Sequence, residues 1–143
     1  MSAVKVAGPP VPGAVAALEA AHSSGRKVAV VSNNSTACVR AFLMLHGLRQ
    51  LVDEVVGRAA YRPDLMKPDP HSLLLAAAQL RVRPNHCTLI GDSVTDVAAA
   101  RAAGAMSIGF ANKQYKGLAL AEAGANAVVT DMATVAASLA DIG

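Results

Sequence analysis

Apolar residues recur along this chain in two alternating rhythms. Between Pro12-Gly13 and Ser23-Ser24-Gly25, Val15, Leu18, Glu19 and His22 fall at helical spacing, and Gly25 suits a left-handed C-cap. The spacing predicts a helix of about three turns. Val28-Ala29-Val30-Val31 follows as an uninterrupted apolar run, bounded by basic residues before it and Ser32-Asn33-Asn34 after it. That is the pattern of a strand buried on both faces, and it implies a parallel sheet. The alternation continues with a helix from Ser35 to His46 stopped by Gly47, a strand from Glu54 to Val56, a helix from Pro70 to Leu80 and a strand from Cys87 to Ile90. A helix from Val94 to Ala103 stopped by Gly104, a strand from Met106 to Ile108, a helix from Gly117 to Ala123, a strand from Ala127 to Val129 and a helix from Met132 to Ala140 complete it. Parallel neighbours require a crossover, and right-handed crossovers put helices on both faces. The expected fold is therefore α/β, a three-layer doubly wound parallel sheet.

Composition narrows this reading to one domain over residues 1–143. A chain of that size buries roughly 70% of its unfolded surface, enough for one core. Hydrophobic residues make up 53% and charged residues 16%, with Ala and Val in place of aromatics, so the core is built from small side chains. The 13 basic residues outnumber the 10 acidic ones but form no stripe, which argues against nucleic acid as a partner. Cys38 and Cys87 lack metal or redox spacing and read as small buried hydrophobes. The four histidines are dispersed and read as surface or capping groups. No leader-like segment and no apolar run near 18 residues is present, so a cytoplasmic protein without a membrane partner is expected.

Ligands of doubly wound sheets bind beyond the carboxyl ends of the strands, and here those positions are polar. Ser32, Asn33 and Asn34 follow the first clear strand and could donate hydrogen bonds to a phosphate oxygen; the plainer reading is that Ser32 or Asn34 caps the next helix. Lys67 sits in Lys67-Pro68-Asp69-Pro70, where prolines stiffen the approach and Asp69 can cap a helix starting at Pro70. An ammonium held there suits a phosphate, although a solvated lysine beside a cap is the commoner case. Ile90-Gly91-Asp92-Ser93-Val94-Thr95-Asp96 is the most informative segment. Gly91 permits a sharp turn, and Asp92 and Asp96 are spaced to face one point above the sheet. Paired hard oxygens there suit Mg²⁺; helix capping by both carboxylates is the plainer alternative.

In order and interval these segments resemble the haloacid dehalogenase superfamily, in particular its phosphoglycolate-phosphatase-like members. Ser32 matches the second motif of that family, Lys67 the third, and Asp92 with Asp96 the fourth. The similarity extends through Val56-Gly57, Ala98 to Gly104, Ile108-Gly109 and Gly124 to Val128. The resemblance implies an Mg²⁺-dependent phosphatase acting on a small phosphorylated molecule. Asp92 and Asp96 would form the metal site, while Ser32, Asn33 and Lys67 would hold the phosphate, Lys67 also neutralising the nucleophile.

The first motif of that family, Asp-x-Asp after the opening strand, does not occur in this sequence, where the earliest acidic residue is Glu19. The usual cap domain is not expected either. Without a carboxylate nucleophile the covalent path is closed, so little turnover is expected from this polypeptide. In the resembled fold the first strand lies between the strands formed here by Val28 to Val31 and Cys87 to Ile90. Val4-Lys5-Val6-Ala7 is the candidate to fill that slot. Three readings follow: an N-terminally shortened form of an active phosphatase, a non-catalytic Mg²⁺- and phosphate-binding protein, or a response-regulator-like signalling domain. The third wants an acidic pair at the end of the first strand, which is absent. An incompletely covered sheet or site would favour a homo-oligomer.

Overall fold

A computed structural model describes residues 12–58 and 62–142. The helix α1 (Ala14–Ser23) leads into strand β1 (Ala29–Val31), then α2 (Thr36–Leu45), β2 (Glu54–Val56), α3 (His71–Leu80) and β3 (Thr88–Gly91). These are followed by α4 (Val94–Ala103), β4 (Met106–Phe110), α5 (Lys116–Glu122), β5 (Ala127–Val129) and α6 (Met132–Ile142). Three short 3-10 turns, Arg49–Leu51, Pro63–Leu65 and Pro84–His86, lie in the connections and were not anticipated from periodicity. Two of them begin at a proline, whose fixed φ suits a tight turn.

All described strand pairings are parallel. β1 pairs with β2 in the register Ala29 to Glu54 and Val31 to Val56. β4 pairs with β3 on one side and β5 on the other, Gly91 lying opposite Gly109 and Phe110 opposite Val129. Among the described residues these form two ladders, β1-β2 and β3-β4-β5. The expected filler between β1 and β3, Val4 to Ala7, lies outside the described residues.

Val30 and Val31 of β1, and Val55 and Val56 of β2, are buried in succession, as in a sheet covered on both faces. Val30 and Val55 pack with Leu18, Val39, Phe42 and Leu43 of α1 and α2. Ile90, Ile108, Phe110 and Val129 lie against Ala17 of α1 and Met132 and Val135 of α6. On the other face, Val31 and Val56 from the first ladder and Leu89 from the second share one cluster with Leu73, Ala76, Ala99 and Ala100 of α3 and α4. Val97, Leu120 and Val128 extend that face under α5. The result is the expected three-layer doubly wound arrangement, and every α-helix and strand of the described residues belongs to it.

Local chemistry sets the ends of the elements. Gly104 closes α4 at φ 79°, where its amide returns to the carbonyls of Ala100 and Arg101. Asp131 accepts from Thr134 N at 2.8 Å at the start of α6, and these bonds hold its carboxyl below the usual carboxylate range. Burial of the cysteines differs from expectation: Cys38 is exposed on α2 and Cys87 is half-buried. Helical position decides this, because α2 turns Val39, Phe42 and Leu43 inward and leaves Cys38, Met44 and Leu45 outside. His46 is the C-cap residue of α2, in keeping with a capping role, and its ring lies tilted against that of Phe42 with centroids 4.5 Å apart.

Candidate active site at the carboxyl ends of β1 and β3

Ser32 follows β1 directly and is buried, its amide donating to Val56 O of β2 at 3.0 Å. The cap of α2 is Ser35, which accepts from Cys38 N at 3.2 Å. Neither Ser32 nor Asn34 performs that role; instead Asn34 N donates to Ser32 Oγ at 3.0 Å in a tight turn. Gly57 closes the neighbouring strand end by donating to Thr36 Oγ1 at 3.1 Å. A Cβ on Gly57 would stand 2.3 Å from Thr36 N, so only glycine lets β2 and α2 approach this closely.

Lys67 is held from three directions. Its backbone amide donates to Asn33 Oδ1 at 3.0 Å, its ammonium donates to Val31 O at 3.3 Å, and the same ammonium donates to Asp96 Oδ1 at 2.7 Å. The Lys67 and Asp96 side chains are only 4% and 5% exposed. A buried pair is tolerated only when its geometry and further hydrogen bonds offset desolvation, and both are present here. Lys67 thus connects the end of β1, in one ladder, to the first turn of α4, which follows β3 of the other. The Lys67–Pro68 peptide is cis. Downstream, Asp69 Oδ1 accepts from His71 N at 2.8 Å, so Asp69 serves the start of α3 as expected, although the helix begins one residue later.

At the end of β3, Ser93 caps α4 and forms a capping box with Asp96. Asp96 Oδ2 accepts from Ser93 N at 3.2 Å and from Ser93 Oγ at 3.0 Å, while Oδ1 serves Lys67. The capping alternative is therefore realised at Asp96, together with an ion pair. A Cβ on Gly91 would fall 2.3 Å from Asp96 Oδ2, which explains the glycine before Asp92.

Asp92 meets different partners. Asn112 Nδ2 donates to Asp92 Oδ2 at 3.3 Å, Lys116 Nζ donates to Asp92 O at 3.3 Å, and the same ammonium lies 4.0 Å from Asp92 Oδ2. Asn112 and Lys116 come from the segment between β4 and the first residue of α5, which the sequence reading passed over. Their signal was available, since they follow a strand just as Ser32 and Asp92 do. The two carboxylates thus flank the end of β3 with separate sets of partners, Asp92 toward β4 and Asp96 toward β1.

Mg²⁺ takes oxygen ligands, uses one or two carboxylates and leaves the remainder to water and substrate phosphate. Asp92, half-buried at a strand end, has the donor chemistry for such an ion. Asn112 Oδ1 beside it is buried with no hydrogen-bond partner among the described residues. The residues present fit the cation.

The family model for haloacid dehalogenase-like hydrolase matches residues 1–104. The chain belongs to that family. Among its haloacid dehalogenase-like relatives, Phosphoglycolate phosphatase, plasmid, from Cupriavidus necator is 41% identical over 93 residues, covering 65% of this chain and 39% of the relative. The phosphoglycolate phosphatase of Rhodospirillum rubrum is 36% identical over 128 residues, covering 87% of this chain and 50% of the relative. This chain therefore spans half the length of these relatives or less. A haloacid dehalogenase family hydrolase from Deinococcus radiodurans R1, solved with bound phosphate and sodium, superposes with TM-score 0.79 at 32% identity, over 92% of this chain and 59% of that one.

Proposed function

We propose that this chain carries the phosphate- and Mg²⁺-handling rim of a phosphohydrolase for small phosphate esters. The observation that carries the reading is the buried Lys67 ammonium, fixed between Val31 O and Asp96 beside Ser32 where two strands end. A lysine serving only as a solvated surface group would not be only 4% exposed. In this reading Ser32, Asn33 and Lys67 hold the phosphate, with Asn33 also anchoring the Lys67 backbone. Asp92 offers its carboxylate to Mg²⁺, and Asp96 supports the site by orienting Lys67. Bound there, Mg²⁺ would neutralise phosphoryl charge and orient the transferred group. The names of the phosphoglycolate phosphatase relatives make phosphoglycolate the first substrate to try.

No Asp-x-Asp pair occurs in the sequence, so the proposed rim lacks the carboxylate that would accept the phosphoryl group. Positioning and electrostatics alone retain only a small part of the acceleration. Calorimetry with Mg²⁺ and inorganic phosphate is expected to show binding, while a phosphatase screen including phosphoglycolate shows little turnover beyond an Asp92→Ala control. Absence of binding to wild type would sink the site; Asp92-dependent turnover at ordinary enzyme rates would sink the claim of weak activity. The same missing pair favours a second reading, a non-catalytic Mg²⁺- and phosphate-binding protein. Adding an Asp-x-Asp strand segment from an active relative, fused or as a peptide, restores turnover under the first reading and not under the second.

A further inference from the structure

We infer that Asn112 is a positioning residue for Asp92, setting the affinity of this site for a divalent cation, and that Lys116 acts on the same carboxylate in the opposite sense. The inference rests on the proposed metal role of Asp92. Three observations carry it. Asn112 Nδ2 donates to Asp92 Oδ2 at 3.3 Å, which fixes the rotation of the carboxylate and directs its lone pairs. The other amide atom, Asn112 Oδ1, is buried without a hydrogen-bond partner among the described residues. A buried acceptor in that condition calls for a donor that the described residues do not supply, and a water in the shell of a cation at Asp92 is such a donor. Finally, Lys116 Nζ lies 4.0 Å from the same Asp92 Oδ2 and 3.3 Å from Asp92 O. Its positive charge stabilises the carboxylate in the metal-free protein and repels a dication.

The backbone holds both side chains in place. Ala111 N donates to Val129 O at 2.8 Å, one residue past β4, and Asn112 N turns back to Phe110 O at 3.0 Å, so Asn112 sits in the tight turn that leaves the β4-β5 ladder. Lys116 N donates to Lys113 O at 3.1 Å in the turn that starts α5. Groups that hydrogen-bond a ligating carboxylate typically alter metal affinity by about 10–100-fold when removed. No reaction step is required for this effect, so binding reads it directly.

The test is Mg²⁺ titration by calorimetry of the full chain, repeated with Mn²⁺ by water-proton relaxation, for wild type and for Asn112→Ala, Lys116→Met and Asp92→Ala. Thermal melts without metal check that each variant folds, and Asn112→Leu replaces Asn112→Ala if the latter does not. The expected result is a Kd raised about 10–100-fold by Asn112→Ala, lowered by Lys116→Met, and no binding by Asp92→Ala. Opposite signs from two neighbouring residues are not what general loosening of the loop would give. If Asp92→Ala abolishes binding while Asn112→Ala stays within about twofold of wild type, this inference is overturned and the metal role of Asp92 stands. If wild type does not bind Mg²⁺, or Asp92→Ala binds it as wild type does, the metal role falls and the inference falls with it.

Discussion

Lys67 and Asp96 show what a single buried contact decides. Each is charged, each is nearly removed from water, and each offsets the cost of the other. Truncating one strands the other, so Lys67→Ala is expected to cost about 3–5 kcal/mol in urea denaturation. The double variant Lys67→Met/Asp96→Asn is expected to recover part of that stability while losing phosphate binding, since no charge stays buried and the amide oxygen can still accept from Ser93. A double variant as unstable as Lys67→Ala would show that the contact is not a compensated pair. Sequence spacing marked both residues as candidates. It did not reveal that they touch, because the contact crosses 29 positions and depends on β1 and β3 ending at the same level.

At the scale of elements, the interior of each helix and strand was legible and the ends were less so. Strand β2 and the helix α4 fall where apolar periodicity puts them, whereas α3 starts one residue beyond Pro70 and β4 runs on to Phe110. Gly25, Gly47 and Gly104 announce left-handed turns by residue type, and all three adopt positive φ. Arg81 does the same at the end of α3 with φ 58°, and nothing in its side chain announces it. A left-handed non-glycine residue costs about 1–2 kcal/mol. Arg81→Gly removes that strain but gives about 0.4–1 kcal/mol back through the freer unfolded chain. A net gain of about 0.5–1 kcal/mol is expected in thermal unfolding, and a loss would mean that the Arg81 side chain contributes contacts that outweigh its backbone.

The whole molecule depends on small side chains where the two ladders meet one helical layer. Ala99 and Ala100 of α4 are fully buried in the cluster that contains Val31 and Val56 from one ladder and Leu89 from the other. Protein interiors are close-packed, so a larger residue there must displace its neighbours. Ala99→Leu is expected to cost about 1–3 kcal/mol by overpacking, seen as a lower urea midpoint with an unchanged slope. An unchanged midpoint would mean that the layer can separate at no cost. The Ala-rich composition anticipated this tight packing, but periodicity could not say which alanines would lie between the ladders.

The order of strands and helices, the parallel class of the sheet and the polar residues at strand ends follow from the sequence by itself. Their physical basis is local: side-chain period, cap chemistry and the reach of a short loop all act within a few residues. Tertiary structure alone decided which polar groups meet. It paired Lys67 with Asp96, gave Asp92 to Asn112 and Lys116, and moved the α2 cap to Ser35. Those outcomes depend on packing and strand register between distant segments, where a shift of a few ångströms exchanges one partner for another while every local preference remains satisfied.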